Sequence, residues 1–312
     1  MTTVRVATYN LYLGADVTVV FDVAGADDLA RRARAVRDQL LATDFPARAG
    51  AIASILARER VDVVGLQEVA RWSRTVEDVG GGALSEVWLD FLGELLAALA
   101  RTGEAYDVHA CTSSFRGGAR VPGEAPMAVL GHNVILVRRA GGVTVTGERT
   151  GDFTRTLDVA AGAPGLALDI ARSWGWVDAE LDGRRFRFVN THLEAWNQTV
   201  REAQRDELLA AVGDPDEPVV VVGDFNSTPD LVGMPEQYVD AWAVSGRDGD
   251  GFTCGQRPDL SGGSTLDQRI DYIWVRNAEV RACWVVGAGQ EDRTASGLWP
   301  SDHAGVVAEV DL

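Results

Sequence analysis

Six times along the chain a short apolar run meets a cluster of acidic, amide or imidazole side chains. The six are Tyr9-Asn10-Leu11, Leu66-Gln67-Glu68-Val69, Asn190-Thr191-His192-Leu193, Gly223-Asp224-Phe225-Asn226-Ser227, Arg269-Ile270-Asp271-Tyr272 and Ser301-Asp302-His303-Ala304. Runs such as Val61 to Leu66 and Pro218 to Val222 are brief and rich in β-branched residues, as buried strands are. A polar group where such a strand stops lies at the rim of a packed core, on a rigid support, where sites form. A fold that suits this chain must bring strand ends together; otherwise each cluster is an unrelated turn or solvated tip.

The rest of the chain alternates. Residues 3–10 read as a strand, Asp27 to Ala42 as an amphipathic helix, and Pro46 to Glu59 as a second helix with Pro46 suited to its first turn. Ser85 to Arg101 reads as one apolar helix, and Cys111 to Pro126 as a mobile loop carrying Arg116 and Arg120. Met127 to Arg138 and Gly142 to Thr150 read as strands around a glycine turn. Trp174 to Leu181 and Phe186 to Thr191 form a hairpin turning at Asp182-Gly183. Thr199 to Val212 is helical, and Ile270 to Val275, Val280 to Val286 and Ala304 to Val310 are further strands. Hairpins mixed with helix-connected strands fit two packed sheets with helices outside better than one doubly wound parallel sheet. Gly80-Gly81-Gly82, Gly117-Gly118 and Gly262-Gly263 read as short loops rather than linkers. With 312 residues and 46% hydrophobic content, one domain over residues 1–312 is expected.

Charge narrows the partners. The formal net charge is −17, whereas coating a polyanion relies on a basic surface. A small-molecule or lipid-headgroup substrate is therefore favoured over nucleic acid, with a local basic cleft left open. Cys111, Cys254 and Cys283 are odd in number and lack C-x-x-C spacing, which points to packed thiols rather than a disulfide framework or thiolate zinc site. The first residues alternate like a strand at once, with no signal-peptide pattern and no apolar run of membrane-spanning length, so a cytoplasmic location is expected. Nothing in the sequence sets an oligomeric state.

The residue types in the clusters suit one chemistry. Mg²⁺ prefers oxygen donors, often one or two carboxylates plus water and phosphate oxygens. Glu68 and Asp302 offer carboxylates, and Asn10 and Asn226 neutral amides. Asp224 can orient or deprotonate a water; so can His303 if Asp271 holds its ring. His192 can donate to a phosphoryl oxygen that gathers charge. Taken alone, Gly223 to Asn226 could be a turn and Gln67-Glu68 a solvated strand end; His109 and His132 read as structural histidines. Trp196 and Trp299 flank the polar clusters and are candidates to wall a cleft or to pack in the core, and Arg155 and Arg172 are further candidates for phosphate contact.

Together the six segments resemble the endonuclease/exonuclease/phosphatase superfamily, strongest in Gly223-Asp224-Phe225-Asn226-Ser227-Thr228-Pro229 and Ser301-Asp302-His303, and running from residue 4 to residue 310. The resemblance implies a four-layer αββα sandwich and a Mg²⁺-dependent phosphoric ester hydrolase, with Mn²⁺ able to substitute. It implies Glu68 as principal metal ligand with Asp302 and Asn10 beside it, Asp224 and Asn226 as the pair orienting water and phosphate, Asp271 and His303 as a carboxylate–imidazole dyad, and His192 as the phosphate-binding or acid histidine. Some repair endonucleases of the group carry an acidic residue where this chain has Tyr12; Asp16 is the nearest substitute. The substrate expected is a phosphate ester of a small molecule or lipid headgroup. A nuclease with the same site, and a non-catalytic binding module on the same fold, are the alternatives.

Overall fold

The structure is a computed structural model that describes residues 2–77, 83–121, 124–157 and 164–312. The Gly80-Gly81-Gly82 loop lies outside these residues. In chain order the elements are β1 (Thr3–Asn10), α1 (Ala26–Ala42), α2 (Phe45–Glu59), β2 (Val63–Glu77), β3 (Ala83–Asp90), α3 (Phe91–Arg101), β4 (Tyr106–Ala119), β5 (Met127–Arg138), β6 (Thr144–Asp152), β7 (Leu166–Asp169), β8 (Ser173–Leu181), β9 (Arg184–His192), α4 (Gln198–Val212), β10 (Val219–Asp224), β11 (Val239–Asp240), α5 (Ala241–Val244), β12 (Asp271–Arg276), β13 (Glu279–Val286) and β14 (Gly305–Asp311). One sheet runs β13-β14-β1-β2-β5-β4-β7, with β3 added to β2; the other runs β11-β12-β10-β9-β8-β6. Both are mixed: β1 is parallel to β2 and β9 to β10, among antiparallel neighbours.

Strand periodicity builds the layers. Val4 and Val6 of β1 face the second sheet and pack with Val177, Phe188, Val220 and Ile273 in the inter-sheet core. Ala7 and Tyr9 face the other way, into a core with Leu40 of α1, Ile52 of α2 and Leu95 of α3. Leu208 and Val212 of α4 cover Val189, Val219 and Val221 on the far side of the second sheet. β10 thus has valines on both faces, and its unbroken Val219-Val220-Val221-Val222 run reflects burial on both sides. The result is the four-layer α/β sandwich, helices outside and sheets within. Among the described residues no single helix is long and apolar enough to cross a membrane.

Four readings of the sequence need correction. Ser85 to Arg101 is not one helix. Its first part is β3, paired with β2, and the helix starts at Phe91, where the Asp90 carboxylate accepts from the Gly93 amide at 3.2 Å. Apolar content hid the boundary because a short apolar run suits either state. Met127 to Arg138 and the following strand are no hairpin: β5 lies in the first sheet and β6 in the second, with a 3-10 turn at Arg139–Gly141 between them. Cys111 to Ala119, expected as mobile loop, is strand, paired with β5 from Thr112 and with β7 as well from Arg116. Its Gly and Ser residues read as a loop, but two neighbouring strands satisfy its backbone. Cys111 is exposed, contrary to the packed-thiol expectation; Cys283 is buried.

Candidate functional site

Five of the six clusters converge at one end of the sandwich because β1, β9 and β10 stop there and β12 and β14 begin there. Asn10, His192 and Asp224 are the last residues of their strands, Asp271 is the first of β12, and His303 lies two residues before β14. Register does the rest: Asp224 is paired with His192 on one side and with Asp271 on the other. Glu68 departs from the expected strand end. It lies within the long strand β2, at a bulge where the pairing with β5 slips between Leu66 and Val69, and its φ is +54°. A bulge re-aims a side chain out of the regular alternation, and here it sends the carboxylate toward Asn10.

The distances show how closely the groups meet. Asn10 Nδ2 donates to Asp224 Oδ2 at 3.0 Å and to Glu68 Oε1 at 3.3 Å. The other Glu68 oxygen accepts from the Leu13 amide at 2.8 Å, and Asn10 Oδ1 from the Tyr12 amide at 2.9 Å. His303 Nδ1 lies 2.8 Å from Asp271 Oδ2, and its Nε2 faces Asp224 Oδ2 at 3.8 Å. His192 Nε2 lies 3.4 Å from the same Asp224 oxygen. Asp224, Asp271 and His303 present ligand-capable atoms within 4.8 Å of one another. Asn226, with φ +49°, donates its backbone amide to Asp224 Oδ1 at 2.9 Å and its side-chain NH₂ to the Leu193 carbonyl at 3.0 Å. Its amide nitrogen therefore braces the loop after His192.

Below these groups a polar bridge joins the sheets. Gln67 Nε2 donates to Asn190 Oδ1 at 2.7 Å, and Asn190 donates to the carbonyls of Leu66 and Val134. Gly65 makes room for it, since a Cβ there would lie 2.7 Å from Asn190 Oδ1. Gln67, fully buried, is thus no solvated strand end. Gly223 is also required by space, because with φ +150° its Cβ would overlap the Thr191 carbonyl oxygen.

Electrostatically the site is out of balance. Asn10, His192, Asp224, Asp271 and His303 are buried. Among the described residues, the only basic side chains within ion-pair distance of the Glu68, Asp224, Asp271 and Asp302 carboxylates are the two histidines. Burial, with repulsion from Asp271, pushes Asp224 up to about 7. Asp302 is likewise pushed up to about 7 by desolvation, which His303 opposes and Glu68 reinforces. Burial disfavours a charged His303 ring, but the Asp271 carboxylate overrides it and holds His303 well above the ordinary imidazole range. His192 goes the other way: burial, then Arg172 and His303, keep it well below, hence neutral.

Glu68 and Asp302 line an open cleft of ≈ 180 Å³ together with Tyr12, Asp16, Arg172 and Trp196. Asp16 caps the turn at Val17–Val20 by accepting from the Thr18 amide. Trp196 is 49% exposed on this wall, edge-on to Phe21, whereas Trp299 is fully buried and takes no part in the cleft. Arg172 is buried, and its Nε has no partner among the described residues. Arg116 is exposed on β4.

Two buried groups escaped the sequence reading. Arg48, fully buried in α2, donates to the carbonyls of Thr43, Leu11 and Pro300 at 2.8–2.9 Å and stacks over Phe45 at 4.8 Å. It ties the segment after Asn10 to the segment before Ser301-Asp302, a link repeated by Ser301 Oγ donating to the Asn10 carbonyl at 2.7 Å. The available signal was an arginine on the helix face set by Phe45 and Ile52. Glu194, also fully buried, accepts from the Trp196 amide at 2.8 Å, and its Oε2 has no partner among the described residues.

Comparison with known proteins places this geometry. Residues 7–303 match the model of the Endonuclease/Exonuclease/phosphatase family. No curated protein sequence matches the chain. Similar solved structures include truncated Caenorhabditis elegans TDP2 (TM-score 0.59, 18% identity, covering 99% of this chain and 98% of that one). D. rerio TDP2 complexed with a single-strand DNA product superposes at TM-score 0.62 and 15% identity, over 100% of both chains. A Bacteroides thetaiotaomicron mannosyl-6-phosphatase does so at TM-score 0.62 and 18% identity, over 99% of this chain and 100% of that one. At these identities the likeness shows the fold.

Proposed function

The chain belongs to the Endonuclease/Exonuclease/phosphatase family, and from that premise we propose that it is a Mg²⁺-dependent phosphoric ester hydrolase acting on a small-molecule or lipid-headgroup ester. The family is generally hydrolytic toward phosphoesters and generally uses divalent metals. The observation that carries the reading is the surplus of carboxylate at the converged strand ends.

The donor set fits a hard cation. Glu68 and Asp302 are half-buried, lie on the open cleft and lack an arginine partner among the described residues, which suits an ion that keeps waters and takes substrate oxygens. Asn10 adds an uncharged amide beside them. The Asp224, Asp271 and His303 group suits a cation less well, because Asp271 is already engaged with His303. A divalent cation held by Glu68, Asp302 and Asn10 would supply neutralisation of the non-bridging phosphate oxygens and of the leaving oxygen.

The chain's own residues do the remaining work. Asp224, pushed up to about 7, is matched to accept the proton of an attacking water near neutral pH. Asn10 and the Asn226 amide fix its two oxygens. His303, kept cationic by Asp271, faces the same carboxylate and offsets negative charge as the phosphoryl group passes to water. Neutral His192 can donate one hydrogen bond to a phosphoryl oxygen. Arg172, in the cleft with no partner for its Nε among the described residues, is suited to a second oxygen. The acidic total, −17, favours a compact substrate over a polynucleotide.

The test uses bis-p-nitrophenyl phosphate and p-nitrophenyl phosphate with Mg²⁺ or Mn²⁺, before and after chelation, on wild type and Glu68→Gln. Turnover should need the metal, and Glu68→Gln should demand more of it. Activity that survives complete metal removal, or Glu68→Gln kinetics equal to wild type at low Mg²⁺, overturns the assignment.

A further inference from the structure

Beside the catalytic cleft lies a second hollow of different character. Among the described residues its walls are apolar throughout, formed by Val20 and Val36 from the helical side and by Trp72, Val129 and Leu166 from the first sheet. Val17 and Phe115 line both this hollow and the cleft that holds Glu68 and Asp302. The link to the metal side is short. Trp72 Nε1 donates to the Leu13 carbonyl at 2.8 Å, and the Leu13 amide donates to Glu68 at 2.8 Å. Gly117 keeps the floor low, since a Cβ there would already press on Phe115 at 3.0 Å.

We propose that this hollow receives a short aliphatic arm of the phosphate ester whose phosphate sits in the cleft. The inference rests on the phosphoesterase reading above and deepens it by naming the shape of the substrate. Adjacency of the two hollows, which share Val17 and Phe115 as lining, is what commits the occupant: an arm on a ligand anchored at Glu68 and Asp302 meets this apolar hollow just past those two side chains. Polar groups have no hydrogen-bond partner there, so burying one is costly and a hydrocarbon is favoured. The cavity volume of ≈ 40 Å³ is about three water-sized spheres, which sets the arm at roughly three or four carbons rather than a long lipid tail. Each methylene buried contributes about fourfold in affinity.

The experiment titrates the Mg²⁺-loaded full chain by calorimetry with methyl-, propyl-, butyl- and octylphosphonate, which cannot be hydrolysed at the C–P bond. Affinity should rise about fourfold per methylene up to propyl or butyl and then level off. Two variants narrow the hollow from opposite walls: Ala33→Leu on α1 and Ala119→Leu at the end of β4, both lining it and both outside the catalytic set. Each should flatten the series while leaving methylphosphonate binding unchanged, and if one fails to fold the other still decides. A flat wild-type series with methylphosphonate still bound overturns the arm and spares the phosphoesterase reading. A gain that both variants leave intact places the arm elsewhere and overturns it too. A flat series in a chain that light scattering shows to be paired over this face assigns the hollow to a second copy and rejects the proposal. Loss of binding to every phosphonate overturns the parent reading and this one with it.

Discussion

The two ends of the sandwich treat charge in opposite ways. At the end where β1 starts and β5 stops, ions come paired. Arg138 grips Glu104 with two hydrogen bonds at 2.7 and 2.9 Å, and Arg5 bridges to Glu309 while its amide donates to Asp62. That bonding holds the Glu104 carboxyl below its usual range. At the end where β1 stops, four carboxylates converge with two histidines for company, and two of those carboxyls are pushed up to about 7. The first arrangement closes the ends of strands and asks for nothing more. The second leaves negative charge in a desolvated place, which a fold tolerates where binding or chemistry uses it.

Three measurements bear on this contrast. The largest effect is expected from Asp224→Asn. It removes the proton acceptor and should lower turnover by about 10²–10⁴-fold. It also removes an unbalanced buried charge, so the metal-free variant should melt no lower than wild type, as judged by calorimetry. A large drop in melting temperature would mean that Asp224 is a structural acid like Glu104.

The next effect is in pH. The folded Asp224 and Asp302 carboxyls, raised to about 7, bind protons that the unfolded chain has already lost above about pH 4. The folded state thus holds more protons between those values, so these two carboxyls should make metal-free stability fall as pH rises from about 5 to about 7; His192, held neutral, offsets part of that fall below about 6.5, and His303, held protonated by Asp271, continues it above. Mg²⁺ should reverse part of that loss and bind more tightly at pH 8 than at pH 6, releasing protons as it does. Melting curves at both pH values, with and without Mg²⁺, read this directly; metal-free stability that climbs over the same range contradicts the assigned shifts.

The smallest effect belongs to the other end. Glu104→Gln keeps one hydrogen bond to Arg138 and loses the charge, at a cost of about 1–2 kcal/mol in stability, with turnover unchanged. A fall in turnover larger than the fall in stability explains would show that the two ends communicate.

Much of the fold was legible because burial stamps a period on a strand. β1, β5, the hairpin of β8 and β9, α4 and β10 lie where alternation and apolar runs put them. The legible part of the site was its membership: Asn10, His192, Asp224, Asp271 and His303 converge. The misreadings share a cause. Ser85 to Arg101 has the apolar content of either a helix or a strand, and only pairing with β2 separates the two. Cys111 to Ala119 looks like a loop until β5 and β7 flank it.

From the order of residues alone one obtains two sheets, outer helices and a set of polar strand ends, since these depend on local period and on which groups can bind an ion. Folding in space added what local period cannot encode. It set the bulge that turns Glu68 toward Asn10, the arginine in α2, Arg48, that ties Leu11 to Pro300, itself 252 positions further along the chain than Arg48, and the apolar hollow next to the cleft. Each depends on side chains that meet across registers set by distant strands, and no short window of sequence contains both partners.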